Sequence, residues 1–133
     1  MKIAIQGVGE FTASDDETAL LEHYSKLRPH YSSNQLLTLL YLIRCLEFAA
    51  WSMHRPGKTH VNAIAMLTAA PLMAASVFGE NEKNWLRALN LGSSLEIGHA
   101  VFKLTDDGVL KLHEQDRIED FDIHSPFDDF MKA

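Results

Sequence analysis

The 133-residue sequence predicts a mainly α fold with one small β-hairpin, a helical domain built on a long buried central helix. Two observations carry that reading. The first is the stretch from Asn34 to His54, NQLLTLLYLIRCLEFAAWSMH, in which 14 of 21 residues are apolar. Leu36, Leu37, Leu39, Leu40, Tyr41, Leu42 and Ile43 are consecutive but for Thr38, so on a helix they point all round. A surface helix turns polar at every third or fourth position, so this one has to be wrapped by its own chain or by a partner. The second observation is the run of helix start and stop signals on either side of it.

At the beginning, Lys2 to Ile5 reads as a short strand with Ile3 and Ile5 on one face. Gly7-Val8-Gly9 suggests a dinucleotide loop, but Thr12 stands where the third glycine belongs and Thr-Ala-Ser-Asp-Asp follows where a helix should run. A strand ending in a turn is the better reading. Ser14 then caps a helix, with Glu17 reaching back and an acidic first turn that suits the helix dipole. That helix ends before Pro29, and Ser33 or Asn34 caps the long one.

Arg55-Pro56-Gly57 stops the long helix, and Thr59 caps an alanine-rich helix from His60 to Ala70. Pro71 is expected to open a new segment, Leu72 to Phe78, after a kink. After the loop Gly79-Glu80-Asn81, a helix from Glu82 to about Leu91 buries Trp85, Leu86 and Leu89, with Gly92 as its stop. For Leu95 to Leu112 there are two readings. Asp106-Asp107-Gly108 can turn one strand into another. Alternatively Leu95–Ile97 and Val101–Leu104 pair across Gly98-His99, and Thr105 caps a short helix bearing Val109, Leu110 and Leu112. The second is preferred, because Val109, Leu110 and Leu112 do not alternate as a strand does. Three helices, a hairpin and a short helix make a winged-helix-like order.

The chain is expected to form one domain, residues 1–113, with an acidic, aromatic-containing C-terminal tail, residues 114–133. The net charge of −6 is uneven: 1–113 holds ten Lys/Arg against eleven Asp/Glu, and 114–133 two against seven. A nearly neutral body argues against a primary role on nucleic acid, where a basic face supplies most of the affinity. The helix Glu82–Leu91 offers only Lys83 and Arg87, and the expected wing only Lys103. In the tail, Ile118, Phe121, Ile123, Phe127, Phe130 and Met131 alternate with acids, so it either packs on the domain or folds on a partner.

No catalytic, metal or cofactor constellation is legible. Cys45 is the single cysteine, set in the apolar helix, and reads as an inert buried thiol in a reducing cytoplasm. Met1-Lys2 leads into Ile3-Ala4-Ile5-Gln6 and glycines rather than a long apolar run, so no secretory signal is expected. Val61 to Gly79 carries no charge over 19 residues, but its Asn62, Thr68, Pro71 and Ser76 favour a buried helix pair over a membrane span. The seven histidines form no HxH or HExxH pair. Asp106-Asp107 and Asp128-Asp129 read as solvated charge rather than an acid/base dyad. The residues expected to meet a partner are the helix edge Arg44, Glu47 and Trp51, and Phe121, Ile123, Phe127 and Phe130 of the tail.

Three features together resemble a known family. They are the apolar helix ending in Trp51-Ser52-Met53-His54-Arg55, the run Asn84-Trp85-Leu86-Arg87-Ala88-Leu89-Asn90, and the expected hairpin from Leu95 to Gly108. They are similar to the middle component of bacterial three-component ABC-ATPase systems, the small accessory subunit of Lamassu-like defence operons, over about residues 34–112. The Phe-Lys-Leu-Thr-Asp-Asp-Gly ending is shared with many winged-helix proteins. The resemblance implies a non-enzymatic winged-helix subunit docking on an SMC-like ATPase and an effector, with no catalytic residues to carry over. Any DNA contact would then be indirect or weak, with no membrane involved. A winged-helix DNA-binding regulator and a small acidic phage-encoded inhibitor are the alternatives.

Overall fold

A computed structural model describes residues 1–52, 62–110 and 117–133. It is mainly helical with one two-stranded hairpin, as the sequence predicts. Strands β1 (Lys2–Ile5) and β2 (Gly9–Thr12) pair antiparallel, Ile3 opposite Phe11. The turn between them is made by Gly7 at a φ of 81°, and Val8 N donates to the Ile5 carbonyl. Six α-helices follow: α1 (Asp15–Leu27), α2 (Ser33–Ser52), α3 (Ala63–Phe78), α4 (Glu82–Ala88), α5 (Ser94–Asp106) and α6 (Pro126–Lys132). Short 3-10 turns stand at Gly79–Asn81 and Ile118–Phe121.

Helix α2 is the axis. Leu36, Leu37, Leu39, Leu40, Tyr41 and Leu42 are all buried, and the covering elements are α1, α3 and α5. Its start is a capping box one residue earlier than expected, since Ser32 and Gln35 exchange side-chain and backbone bonds of 3.2 and 2.7 Å. Tyr41 is wholly buried, and its hydroxyl donates to the Ala70 carbonyl at 2.7 Å, tying α2 to the middle of α3. An aromatic cluster extends this tie. Phe78 lies 5.5 Å from Tyr41 and stacks on Trp85, and Phe11 meets both Phe78 and Trp85 edge-on. The hairpin is thereby fixed on the α3–α4 corner.

Several expectations are corrected. Residues 95–104 form no hairpin and so no wing: they lie inside α5. Ser93 caps it by accepting from Glu96 N, and Ser94, Ile97, Gly98, Val101 and Leu104 recur at helical spacing on its buried face. Burial of that stripe outweighs the strand preference of Ile97, Val101 and Phe102. Gly98 is a close-packing site, not a turn; a Cβ there would stand 2.5 Å from the Cβ of Phe121. Asp107-Gly108 ends α5, with Gly108 at a φ of 80° and the bonds Val109 N to Leu104 O and Gly108 N to Thr105 O closing a Schellman motif. Thr105 caps nothing and bonds back to Val101 O, and Val109 and Leu110 follow the motif outside any helix.

Pro71 lies inside a continuous α3, capped by Asn62, because packing on α2 holds the helix on both sides of the missing donor. The stop after α4 is Asn90, left-handed at a φ of 59°, not Gly92. Asn90 N reaches Arg87 O, and Leu91 N reaches Leu86 O. The expected stop at Arg55-Pro56-Gly57, the cap at Thr59 and the residues Lys111 to Asp116 lie outside the described residues. By length and composition, the run Ala63–Ala88 could cross a membrane. One side of α3, including Met66, Leu67, Ala70 and Ala74, is nevertheless buried against the rest of the chain.

From Arg117 the C-terminal segment lies packed on α3 and α5. Phe121, Phe127 and Met131 are core residues. Leu40→Asp should abolish folding, since Leu40 is fully buried and an unpaired carboxylate there costs several kcal/mol or more. Circular dichroism and urea titration check this; a cooperative transition at wild-type midpoint would contradict the closed core.

Candidate functional site: an aromatic edge on the long helix

Along the second half of α2 the buried line narrows to Cys45 and Ala49. Opposite it, Arg44, Glu47, Phe48 and Trp51 stand at i, i+3, i+4 and i+7, one stripe of a helix. Arg44 Nη1 and Glu47 Oε1 pair at 3.7 Å. The Phe48 and Trp51 rings lie 5.7 Å apart, tilted by 46°. Trp51 is 70% exposed, the most exposed large apolar side chain among the described residues. The edge has a polar half and an aromatic half. An exposed pair of this kind contributes little to stability, on the order of 0–1 kcal/mol. Phe48 is the member that sequence reasoning missed; its spacing from Arg44 and Trp51 is the signal that finds it.

The candidates in the tail have a different fate. Phe121 and Phe127 are buried, so they are anchors of the fold rather than free contacts. Phe130 is half-buried beneath the Lys83 ammonium, 5.0 Å from the ring centre, and Ile123 is the exposed one. Lys83 and Arg87, the cations expected on a DNA-reading helix, bond instead to the carbonyls of Ala133 (2.6 Å) and Met131 (3.3 Å).

Of the acids expected to be solvated, Asp106 and Asp129 are exposed, whereas Asp107 and Asp128 each join a polar cluster. In the first, Asp107 accepts from the Tyr31 hydroxyl at 2.5 Å and from Lys103 Nζ at 3.4 Å, while the Arg28 guanidinium donates to its carbonyl. The Tyr31 hydrogen bond holds the Asp107 carboxyl below its ordinary range. In the second, Ser94 and Ser125 are buried with their hydroxyls bonded to each other, and Ser94 donates its hydroxyl to Asp128. Burial pushes the Asp128 carboxyl upward, but these hydroxyls and the amides of Ser94 and Ser125 prevail and hold it low. Ser94 is 1% exposed, and His124 bonds to Asp129 rather than to either serine. These acids are structural clips.

A shallow groove of about 180 Å³ opens between the start of α2, the end of α4 and α5, with Leu89, Ala100 and Leu104 as its apolar lining and Gln35, Asn90 and Lys103 as polar members. It is smaller than the roughly 300–1,000 Å³ of ligand sites, whereas two more open hollows, at residues 80–87 and beside Glu96 and His99, reach about 330 and 360 Å³. Among the described residues no three His, Cys, Asp or Glu side chains converge as a metal site. Burial pushes the Cys45 thiol up to about 12, which keeps it protonated and unreactive.

Burial, with Asp107 as hydrogen-bond partner and negative neighbour, raises the Tyr31 phenol from 10.0 to about 12. Below pH 10 both the folded and the unfolded chain keep this proton. Between 10 and about 12 only the folded chain does, so its stability falls as pH rises through that window. Tyr31→Phe should flatten part of the alkaline slope, with Tyr41 and Cys45 sustaining the rest, as denaturant titrations across the window would show. Unchanged slopes would contradict the assignment. Comparison of the chain with protein-family models, with curated proteins and with solved structures finds no match.

Proposed function

We propose that the chain is a non-enzymatic accessory subunit that acts by binding another protein through the aromatic edge of α2. The observation that carries this reading is Trp51, an indole 70% exposed beside Phe48 and one turn beyond an ion pair. A large amphipathic ring left in water is the side chain that contributes most when a partner covers it. The Arg44–Glu47 pair supplies a polar rim of the kind that fixes register at interfaces. The engagement of Lys83 and Arg87 with the C-terminal segment supports a protein partner over DNA.

The partner we propose is an SMC-like ATPase, with an effector completing the complex in bacterial defence against phage or plasmids. It rests on the resemblance of Trp51–Arg55 and Asn84–Asn90 to the accessory subunits of such systems; the hairpin once part of that resemblance is helical and lends it nothing. Co-expression with the neighbouring gene products, followed by co-purification, tests the reading. The wild type should elute with an ATPase. Trp51→Asp should fold with an unchanged melting temperature and bind roughly 30-fold more weakly or worse, the loss of about 2 kcal/mol expected of a hot spot. Normal assembly of Trp51→Asp would show that the interface lies elsewhere.

A further inference from the structure

We infer that residues 117–133 form a latch, a segment that leaves the folded body as one unit and uncovers an apolar seat on α3 and α5. The backbone makes this possible. Among the described residues, the backbone bonds of the segment close within it: Asp120 N to Arg117 O, Asp122 N to Glu119 O, Asp129 N to Ser125 O, and Ala133 N to Asp129 and Phe130 O. Detachment breaks no backbone bond of α1 to α5. Among the described residues, each hydrogen bond between segment and body has a side chain on at least one end.

Those attachments are of two kinds. The polar ones are the bonds of Lys83 Nζ to Ala133 O (2.6 Å) and of Arg87 to Met131 O (3.3 Å), and a clasp in which Ser94 at the start of α5 gives both its amide (3.0 Å) and its hydroxyl (2.6 Å) to Asp128. Ser125 uses its amide on the same carboxylate (3.0 Å), so one acid holds the first turns of α5 and α6 together. The apolar kind is a set of three plugs. Phe121 sits against bare Gly98, and Phe127 and Met131 are buried. Outward, the segment presents the exposed acids Glu119, Asp120, Asp122 and Asp129, none of which reaches the body among the described residues.

Two further points make release all-or-none. The Ile118–Phe121 turn and the seven-residue α6 are too short to stay helical in water, so once off the body the segment gains the entropy of an unfolded chain. The body keeps its own closure, because the Tyr41–Ala70 bond and the Phe11, Phe78 and Trp85 cluster do not involve the segment. Regions that open below the global unfolding free energy are the ones proteins use for switching.

Native-state hydrogen exchange on the full chain tests the latch. Amides of Glu119–Phe121 and Phe127–Lys132 should exchange through one common opening, at least ten times faster than those of Leu37–Tyr41. Asp128→Ala should speed both groups by a similar factor, on the order of tenfold to a hundredfold for a lost charge-assisted cluster, and leave Leu37–Tyr41 unchanged. Ser94→Ala, a milder variant, should act in the same direction if Asp128→Ala folds poorly. Gly98→Ala should displace Phe121 and release both groups together, and Asp129→Asn should change neither. The latch is overturned if the segment exchanges only at the rate of α2, if Asp128→Ala speeds α2 equally, or if Gly98→Ala frees 119–121 while 127–132 stay protected.

Discussion

A helix apolar on nearly every side cannot face water, and the whole chain is arranged to cover α2. Leu36 to Leu42 leave no polar stripe, so helices must approach from several directions at once, and α1, α3 and α5 do so. The cost of enclosing a tyrosine in such a core is met by one bond, the Tyr41 hydroxyl to the Ala70 carbonyl. That bond also sets the placement of α3, whose far end then presents Phe78 to the hairpin and to Trp85. Burial pushes the Tyr41 phenol well above its ordinary range, so the hydroxyl remains a donor.

Once α2 is covered from within, its apolar excess no longer calls for a partner along its first half. The surface left over is elsewhere. Trp51 and Phe48 stand at the end of α2, and Ile64 and Leu72 point outward from α3, both more than half exposed. Among the described residues, only the α2 edge combines exposed aromatic area with an ion pair, which is why the proposed contact is placed there. The C-terminal segment follows a related logic. Its aromatics are spent on the body and its acids other than Asp128 face out, so it closes the fold and gives it a negative surface together.

Helices α1 and α2 were legible because each carries a start signal that acts locally. Ser14 and Glu17 form the capping box their spacing announces, and the long helix ends its first turn on the same device at Ser32 and Gln35. Ser125 and Asp128 repeat that spacing, yet read as solvated charge, because the bond that matters comes from Ser94, 34 residues away from Asp128. The α5 region misled for a tertiary reason. Ile97, Val101 and Phe102 suit a strand, Gly98 suits a turn, and only the seat of Phe121 shows why glycine is needed in a helix. Strand β2 escaped notice because Gly-Glu-Phe-Thr has one apolar residue, whose burial depends on Phe78 and Trp85. Of the site, the Arg44–Glu47–Trp51 edge was readable from helical spacing, whereas the burial of Phe121 and Phe127 was a property of the packed chain.

Helix α2 is closed by its own chain at Leu36–Leu42 and open at Trp51. The two tryptophans report on it directly, since Trp51 is 70% exposed and Trp85 4%. Single-tryptophan proteins, made as Trp85→Phe and Trp51→Phe, should differ in fluorescence. Trp51 should emit at the long wavelength of a hydrated indole and be quenched readily by acrylamide, and Trp85 should emit to the blue and resist quenching. A blue-shifted, protected Trp51 in the isolated protein would contradict the account, because the edge assigned to a partner would already be covered.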